Sequence, residues 1–246
     1  QARPDIFKGS GGKYSEEELE ESYAEICALV NAGQLFTDDC YDEIAKNWNK
    51  QSVVKALCIH VAHDCNLRCK YCFADTGEFH GGRSLMSAEV GKKAIDFVIN
   101  NSGNRKNIEI DYFGGEPLMN FPLLKKCIEY AKKAYPDVKM SFSFTTNLTL
   151  LTQEMLDFFI SLENIEIMCS LDGPQDIHDK YRLDTNGKGT YDKAIQNFKL
   201  LLEKFYDLEK KRILMINCVM VPPYTKEKLH DIYHFCLLYT SDAADD

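Results

Sequence analysis

Residues 107–134, NIEIDYFGGEPLMNFPLLKKCIEYAKKA, hold a strand-like run, a glycine-rich turn and a helical pattern in direct succession. The run 107–113 ends at Gly114 and Gly115, and Pro122 suits the first turn of a helix over 122–134. Strand, turn and helix in that order make half of a parallel strand–helix–strand unit.

The same alternation extends in both directions. Strand-like runs occur at 56–61, 139–146, 165–171 and 212–221, and helical stretches at 87–100, 152–162, 190–207 and 225–239. Ser87, after Met86, and Thr152 can cap two of these helices. The pattern predicts an α/β fold with a parallel sheet, and several runs are apolar on both faces, as in a sheet covered by helices. Five units after Val53 fall short of a closed eight-stranded barrel, which takes about 250 residues. An incomplete barrel, an open doubly wound sheet and a sequence that stops short of a longer protein all fit.

Residues 1–52 read differently. Pro4 and the glycines from Gly9 to Gly12 suggest a flexible lead over 1–14. Ser15 and Glu18 form a capping-box signal, Leu19, Tyr23, Ile26 and Val30 recur at helical spacing, and Gly33 ends the helix. A second short helix is expected over 38–47. The expected domains are therefore a lead and helical extension, 1–52, and a core domain, 53–246.

The 246-residue chain is 45% hydrophobic and 27% charged, with a formal charge of −9. Its average field opposes nucleic acid and anionic membranes, so neither is expected as a partner. No apolar run approaches the roughly 20 residues of a membrane span. No signal-peptide layout opens the chain, and a cytoplasmic location is expected.

Cysteine number is high, at ten. Cys58, Cys169 and Cys218 sit in apolar runs, where a free thiol acts as a small core hydrophobe. Cys65, Cys69 and Cys72 differ: they lie in one polar loop directly after the first strand, in VAHDCNLRCKYCFADTG. That spacing can offer three thiolates to a four-iron, four-sulfur cluster and leave one iron open for chemistry. Zinc is the rival reading, with His60, His63 and His80 close in sequence, and spacing does not separate the two. The loop's place after a strand is where α/β sheets build their sites.

Other strand ends are polar as well. Gly114 and Gly115 let the backbone approach a ligand or adopt unusual conformations, and Glu116 adds a carboxylate suited to an ammonium group. Thr146 and Asn147 end the third run, Ser170 and Asp172 the fourth, and Arg182 follows in HDKYR. Each could serve ribose or carboxylate oxygens, and each could equally be a turn or capping residue. No nucleophile elbow, metalloprotease helix or dinucleotide fingerprint occurs.

These motifs resemble the radical S-adenosylmethionine superfamily. Cys65 to Cys72, CNLRCKYC, matches its Cys-x-x-x-Cys-x-aromatic-Cys signature, and Gly114 to Pro117 matches its glycine-glycine-glutamate motif. SLDGP at 170–174, with Ile177, His178 and Arg182, resembles the branch that carries a C-terminal twitch or SPASM domain. Residues 55–87 are similar to maturases of six-cysteine (SCIFF) peptides, in the sactipeptide and ranthipeptide group.

The resemblance implies a partial parallel (β/α)6 TIM-like barrel, incomplete in this chain. It implies a 4Fe-4S cluster on Cys65, Cys69 and Cys72, with S-adenosyl-L-methionine as second cofactor. Gly114, Gly115 and Glu116 would position the cofactor amine. Arg182, with Thr146 or Asn147, would face its carboxylate. Ser170 and Asp172 would lie on the ribose side, and Tyr71 or Phe73 near adenine. Reductive cleavage to a 5′-deoxyadenosyl radical would then form cysteine thioether cross-links in a ribosomally made, cysteine-rich precursor peptide. Ferredoxin or flavodoxin would donate electrons, and auxiliary 4Fe-4S clusters would require a C-terminal SPASM domain. A formylglycine-generating anaerobic sulfatase maturase is the alternative within this chemistry. A noncatalytic, metal-containing peptide-binding protein is the alternative outside it.

Overall fold

The computed structural model describes residues 14–38, 40–46, 53–205 and 211–239. The chain divides into two compact units, Gln1–Ser52 and Val53–Asp246. In the first, helix α1 spans Glu16–Asn31 behind a reciprocal capping box. The Glu18 N–H donates to Ser15 Oγ at 3.2 Å, and the Ser15 N–H donates to the Glu18 carboxylate at 2.8 Å. Helix α2 covers Asp42–Lys46, a shorter stretch than the expected 38–47. The expected lead over 1–14 lies outside the described residues, Tyr14 apart.

The second unit is built on a six-stranded sheet in the order β2-β1-β3-β4-β5-β6. The strands are β1 (Ala56–His63), β2 (Ser84–Leu85), β3 (Asn107–Gly114), β4 (Lys139–Thr146), β5 (Asn164–Ser170) and β6 (Lys211–Asn217). All neighbours pair in parallel except β2, which runs antiparallel to the end of β1. Helices α3 (Ala88–Asn100), α4 (Phe121–Ala134), α5 (Gln153–Ile160), α6 (Gln175–Tyr181), α7 (Tyr191–Phe205) and α8 (Lys226–Leu237) connect or follow the strands. This is the expected α/β architecture, an incomplete (β/α) barrel.

The core forms because side chains alternate along each strand. Ile59, Val61, Ile108, Ile110, Phe142, Phe144, Ile165 and Ile167 join Val98, Leu124, Ile128, Phe159, Phe198 and Leu201 of the helices in one buried cluster. The other sheet face is more open. Cys58, Asp111 and Ser143 stand in register across β1, β3 and β4, and the Asp111 carboxylate accepts from the Cys58 thiol at 3.2 Å and the Ser143 hydroxyl at 2.8 Å. The expectation of strands apolar on both faces is corrected here. Helices cover one face, while the other carries the mixed inward layer of a barrel wall.

Three elements were not legible in the sequence. Strand β2 is two residues long, α6 is one short helix, and Pro117–Asn120 makes a 3₁₀ turn before α4. Strand β6 stops at Asn217 rather than 221, because beyond it the backbone turns to the site. The Val219 N–H donates to Asp172 Oδ1 at 3.1 Å rather than continuing the ladder.

Candidate active site around the cysteine loop

The loop carrying Cys65, Cys69 and Cys72 leaves the C-terminal end of β1. Asp64 starts it by accepting the Cys65 N–H at 2.8 Å on its carboxylate. The Arg68 guanidinium folds back to donate to the Cys65 and Leu67 carbonyls at 2.7 and 2.6 Å. On its far side the loop pairs with the segment after α6. The Arg68 N–H donates to Leu183 O at 2.7 Å, the Lys70 N–H to Tyr181 O at 2.9 Å, and Leu67 bridges Asp184. All ten cysteines are free thiols, and these three are half-buried. Burial pushes the Cys65 thiol up to about 12. It also raises that of Cys69, against the pull of Arg182.

The glycine-glutamate turn closes one side of the loop. Gly114 sits at φ +145°, where a Cβ would stand 2.2 Å from Ala62 O. At Gly115 a Cβ would meet Asp64 O at 2.3 Å and Gly77 O at 2.8 Å. Both glycines thus let β3 pass against the start of the cysteine loop. Glu116 is buried and turned into the protein. One carboxylate oxygen accepts the Leu118 N–H at 3.0 Å and the Thr146 hydroxyl at 2.8 Å; the other accepts the Asn147 N–H at 2.8 Å. Burial raises its carboxyl pKa against those three donors. A carboxylate has about four acceptor directions, so one on Oε2 is left.

Asn147 carries this bracket to the thiols. Its side-chain amide donates to Asn66 Oδ1 at 2.9 Å and lies 3.9 Å from Cys65 Sγ, and its Oδ1 accepts the Thr149 hydroxyl at 2.7 Å. Asn66 completes the ring by donating to the Thr149 hydroxyl at 2.7 Å. Leu148, fully buried, adopts φ +66°, a left-handed conformation that costs a branched side chain about 1–2 kcal/mol. Hydrogen bonds at both ends hold it there: its N–H to Thr146 Oγ1 at 3.0 Å and its carbonyl from Asn197 at 2.7 Å.

The opposite side is formed by Tyr71, Asp172 and Arg182. The Tyr71 hydroxyl donates to Asp172 Oδ2 in a short contact and accepts from Arg182 Nη1 at 2.6 Å. Arg182 also stands 3.8 Å from Asp172 Oδ1 and lies over the Tyr71 ring at 5.9 Å. Its Nε is buried and has no hydrogen-bond partner among the described residues. Burial and the Asp172 carboxylate raise the Tyr71 hydroxyl pKa, against Arg182.

The expected site residues therefore gather around one loop, with two qualifications. Ser170 is buried at the end of β5. Phe73 stands 75% exposed, stacked on Phe113 at 6.4 Å and beside Phe79 at 5.9 Å, away from the Tyr71 corner. Sequence reasoning missed Asn66, Thr149 and Thr190, whose roles depend on partners distant in the chain. The position of Asn66 between two of the cysteines was the available signal.

The donor set suits an iron–sulfur cluster and an anionic ligand beside it. Three unpaired thiols share one loop, and a buried guanidinium nitrogen beside them lacks an acceptor. Among the described residues, no three His, Cys, Asp or Glu side chains converge on a single-ion position. A cubane, whose iron corners are spread apart, does not ask for such convergence. The Radical SAM superfamily pattern matches residues 59–236. The chain belongs to the radical SAM superfamily. A 4Fe-4S cluster and S-adenosylmethionine are accordingly its catalytic cofactors, and it is an enzyme of that class.

The cysteine-type anaerobic sulfatase-maturating enzyme of Clostridium novyi (strain NT) is 30% identical over 177 residues, covering 70% of this chain and 45% of that protein. The serine-type anaerobic sulfatase-maturating enzyme of Bacteroides thetaiotaomicron is 33% identical over 175 residues, covering 70% of this chain and 40% of that protein. The solved structure of anSMEcpe with bound AdoMet and Cp18Cys peptide matches with a TM-score of 0.62 at 26% identity, over 74% of this chain and 47% of that one. The chain thus spans less than half the length of these relatives. No helix among the described residues is long and apolar enough to cross a membrane.

These similarities correct the expectation of thioether cross-linking. Sulfatase-maturating radical SAM enzymes stand among the most similar relatives and solved structures, which backs the alternative reading better than thioether formation. The physical reason is that the cysteine loop and the glycine-glutamate turn report how the radical is generated. What the radical then does depends on how a peptide is held, which those motifs do not encode.

Proposed function

We propose that this chain is the radical-generating part of an anaerobic sulfatase maturase, which converts a cysteine or serine of a sulfatase peptide to formylglycine. The carrying observation is the similarity to cysteine-type and serine-type sulfatase-maturating enzymes over 70% of this chain. In this reading residues 1–52 are an N-terminal lead and helical extension and 53–246 the radical SAM core. The SPASM or twitch-type branch, a ferredoxin or flavodoxin as electron donor and a cytoplasmic setting belong to the same proposal.

When bound, the cluster and cofactor supply one-electron reductive cleavage and hydrogen-atom abstraction. Cys65, Cys69 and Cys72 hold the cluster as thiolates, so loading releases their protons. The Leu67 N–H, 3.4 Å from Cys65 Sγ, and the Asn147 amide temper the charge on that sulfur. Arg182 offers its unmet Nε to the cofactor carboxylate, with Tyr71 and Asp172 fixing the guanidinium plane. Asp172 and Ser170 line the ribose side. Gly114, Gly115, Glu116 and Thr146 shape the amine side, Glu116 by bracing Thr146 and Asn147 rather than as a direct ligand.

The test is anaerobic reconstitution, reduction and incubation with a peptide spanning a sulfatase modification site, read by mass spectrometry. Serine should lose two hydrogens, or cysteine should exchange its sulfur and two hydrogens for one oxygen, with 5′-deoxyadenosine as co-product. An unmodified peptide from a fully loaded, turning-over enzyme overturns the substrate assignment.

A further inference from the structure

We infer that His178 and Thr190 form a positioning relay that holds the segment 181–184 against the cysteine loop. His178 lies on α6 and is fully buried, and Thr190, just before α7, is buried as well. The Asp172 N–H, which can only donate, faces His178 Nδ1 at 3.4 Å. Nδ1 is therefore the acceptor, and the neutral ring carries its proton on Nε2. Nε2 lies 3.2 Å from Thr190 Oγ1, and the hydroxyl passes its one proton on to Arg182 O at 2.9 Å. All three donors point the same way, from the entry of α6 to its exit.

The relay ends on the segment that docks the cysteine loop. Arg182 is flanked by Tyr181 and Leu183, whose carbonyls hold the Lys70 and Arg68 amides. One residue further, Asp184 bridges Leu67. At its start the relay fixes the backbone of Asp172, whose side chain holds Tyr71. Both polar partners of Tyr71 are thus tied to one imidazole. Helix α6 is too short to do this alone: it has seven residues, and Pro174 gives it no side-chain cap.

The charge environment agrees with a neutral ring. Asp172, Asp179 and Arg182 face His178, and the Tyr191 ring packs edge-on at 5.6 Å. Burial, with Arg182, pushes its pKa down to about 4. Protonation would place a second N–H against the Asp172 N–H, donor against donor.

The alternative is a buried histidine that merely fills space. Hydrogen exchange on the metal-free chain separates the two, using Thr190→Val, which removes the hydroxyl at equal volume, and Thr190→Ser, which restores it. Protection of the Arg68 and Lys70 amides should fall about tenfold or more in Thr190→Val and return to within about threefold of wild type in Thr190→Ser, while Ile110 and Phe144 keep theirs. Unchanged Arg68 and Lys70, or a fall shared equally by Ile110 and Phe144, overturns the relay. The inference rests on the proposed role of the cysteine loop only for its consequence. Formylglycine formation does not enter the readout, so either can fail without the other.

Discussion

The two sides of the cysteine loop differ in how completely their polar groups are satisfied. On the β3 side, the Glu116 carboxylate takes three donors from its own chain, and both glycines are pressed against backbone. On the α6 side, Arg182 is also buried yet keeps an Nε unmet among the described residues, beside Tyr71 and Asp172. A buried donor without an acceptor costs about 1–3 kcal/mol, so a fold retains one where a ligand repays it. In the proposed reading the β3 side is a brace and the α6 side a receiving surface.

The largest effect expected is on the brace. Gly114→Ala drives a Cβ to 2.2 Å from Ala62 O at φ +145° and should destabilise the chain by about 4 kcal/mol in urea unfolding. A loss under about 1 kcal/mol would mean that the end of β3 does not pass this close to the end of β1.

On the α6 side the relay histidine gives a pH signature. Its folded pKa lies below the ordinary 6.5, at about 4, so the unfolded chain binds the proton first as pH falls. Stability should be full above pH 6.5 and drop by roughly 3 kcal/mol as pH falls toward 4, and His178→Gln should remove that part of the slope. Equal slopes in both proteins would contradict a buried neutral ring.

Glu116→Gln keeps the shape of the brace but turns an amide donor toward the Asn147 N–H. About 2 kcal/mol of stability should be lost, with cofactor affinity in the loaded protein changed much less. The reverse pattern, a stable protein that no longer binds S-adenosylmethionine, would make Glu116 a direct ligand and erase the contrast between the sides.

Arg182→Lys keeps the charge beside Asp172 and removes the free Nε. Affinity for S-adenosylmethionine should fall about tenfold by equilibrium titration, with iron content unchanged. Wild-type affinity would remove the receiving surface from the α6 side.

The β3 side was legible in the sequence because its signals are local. Gly114, Gly115 and Glu116 are contiguous, and the alternation of apolar runs around them encodes the parallel sheet. The α6 side was legible only in its side-chain types. Arg182 and Tyr71 meet across 111 residues, His178 and Thr190 across 12, and no periodicity links them. Strand β2 was missed because it is two residues of edge pairing, set by the Ala62–Leu85 register rather than by propensity. From the sequence alone, Glu116 suits an ammonium group. Its chemistry was visible, but the three donors that engage it come from the fold.

The same limit explains the corrected function. Superfamily chemistry lies in one short loop and one turn, and neither encodes the choice among peptide modifications; the sheet's open face is assembled from residues dispersed in the chain. Cys58, Asp111 and Ser143 on that face sit on three different strands.

The most direct measurement is anaerobic reconstitution of wild type and the Cys65→Ala, Cys69→Ala, Cys72→Ala triple variant. Iron and sulfide are quantified, and the spectrum of the reduced cluster is recorded with and without S-adenosylmethionine. Wild type should hold one cluster's iron and sulfide more than the variant, and only its spectrum should shift when the cofactor is added. Equal iron and sulfide in both proteins, zinc in place of iron, or a wild-type cluster indifferent to the cofactor would contradict an open-cornered cluster on this loop.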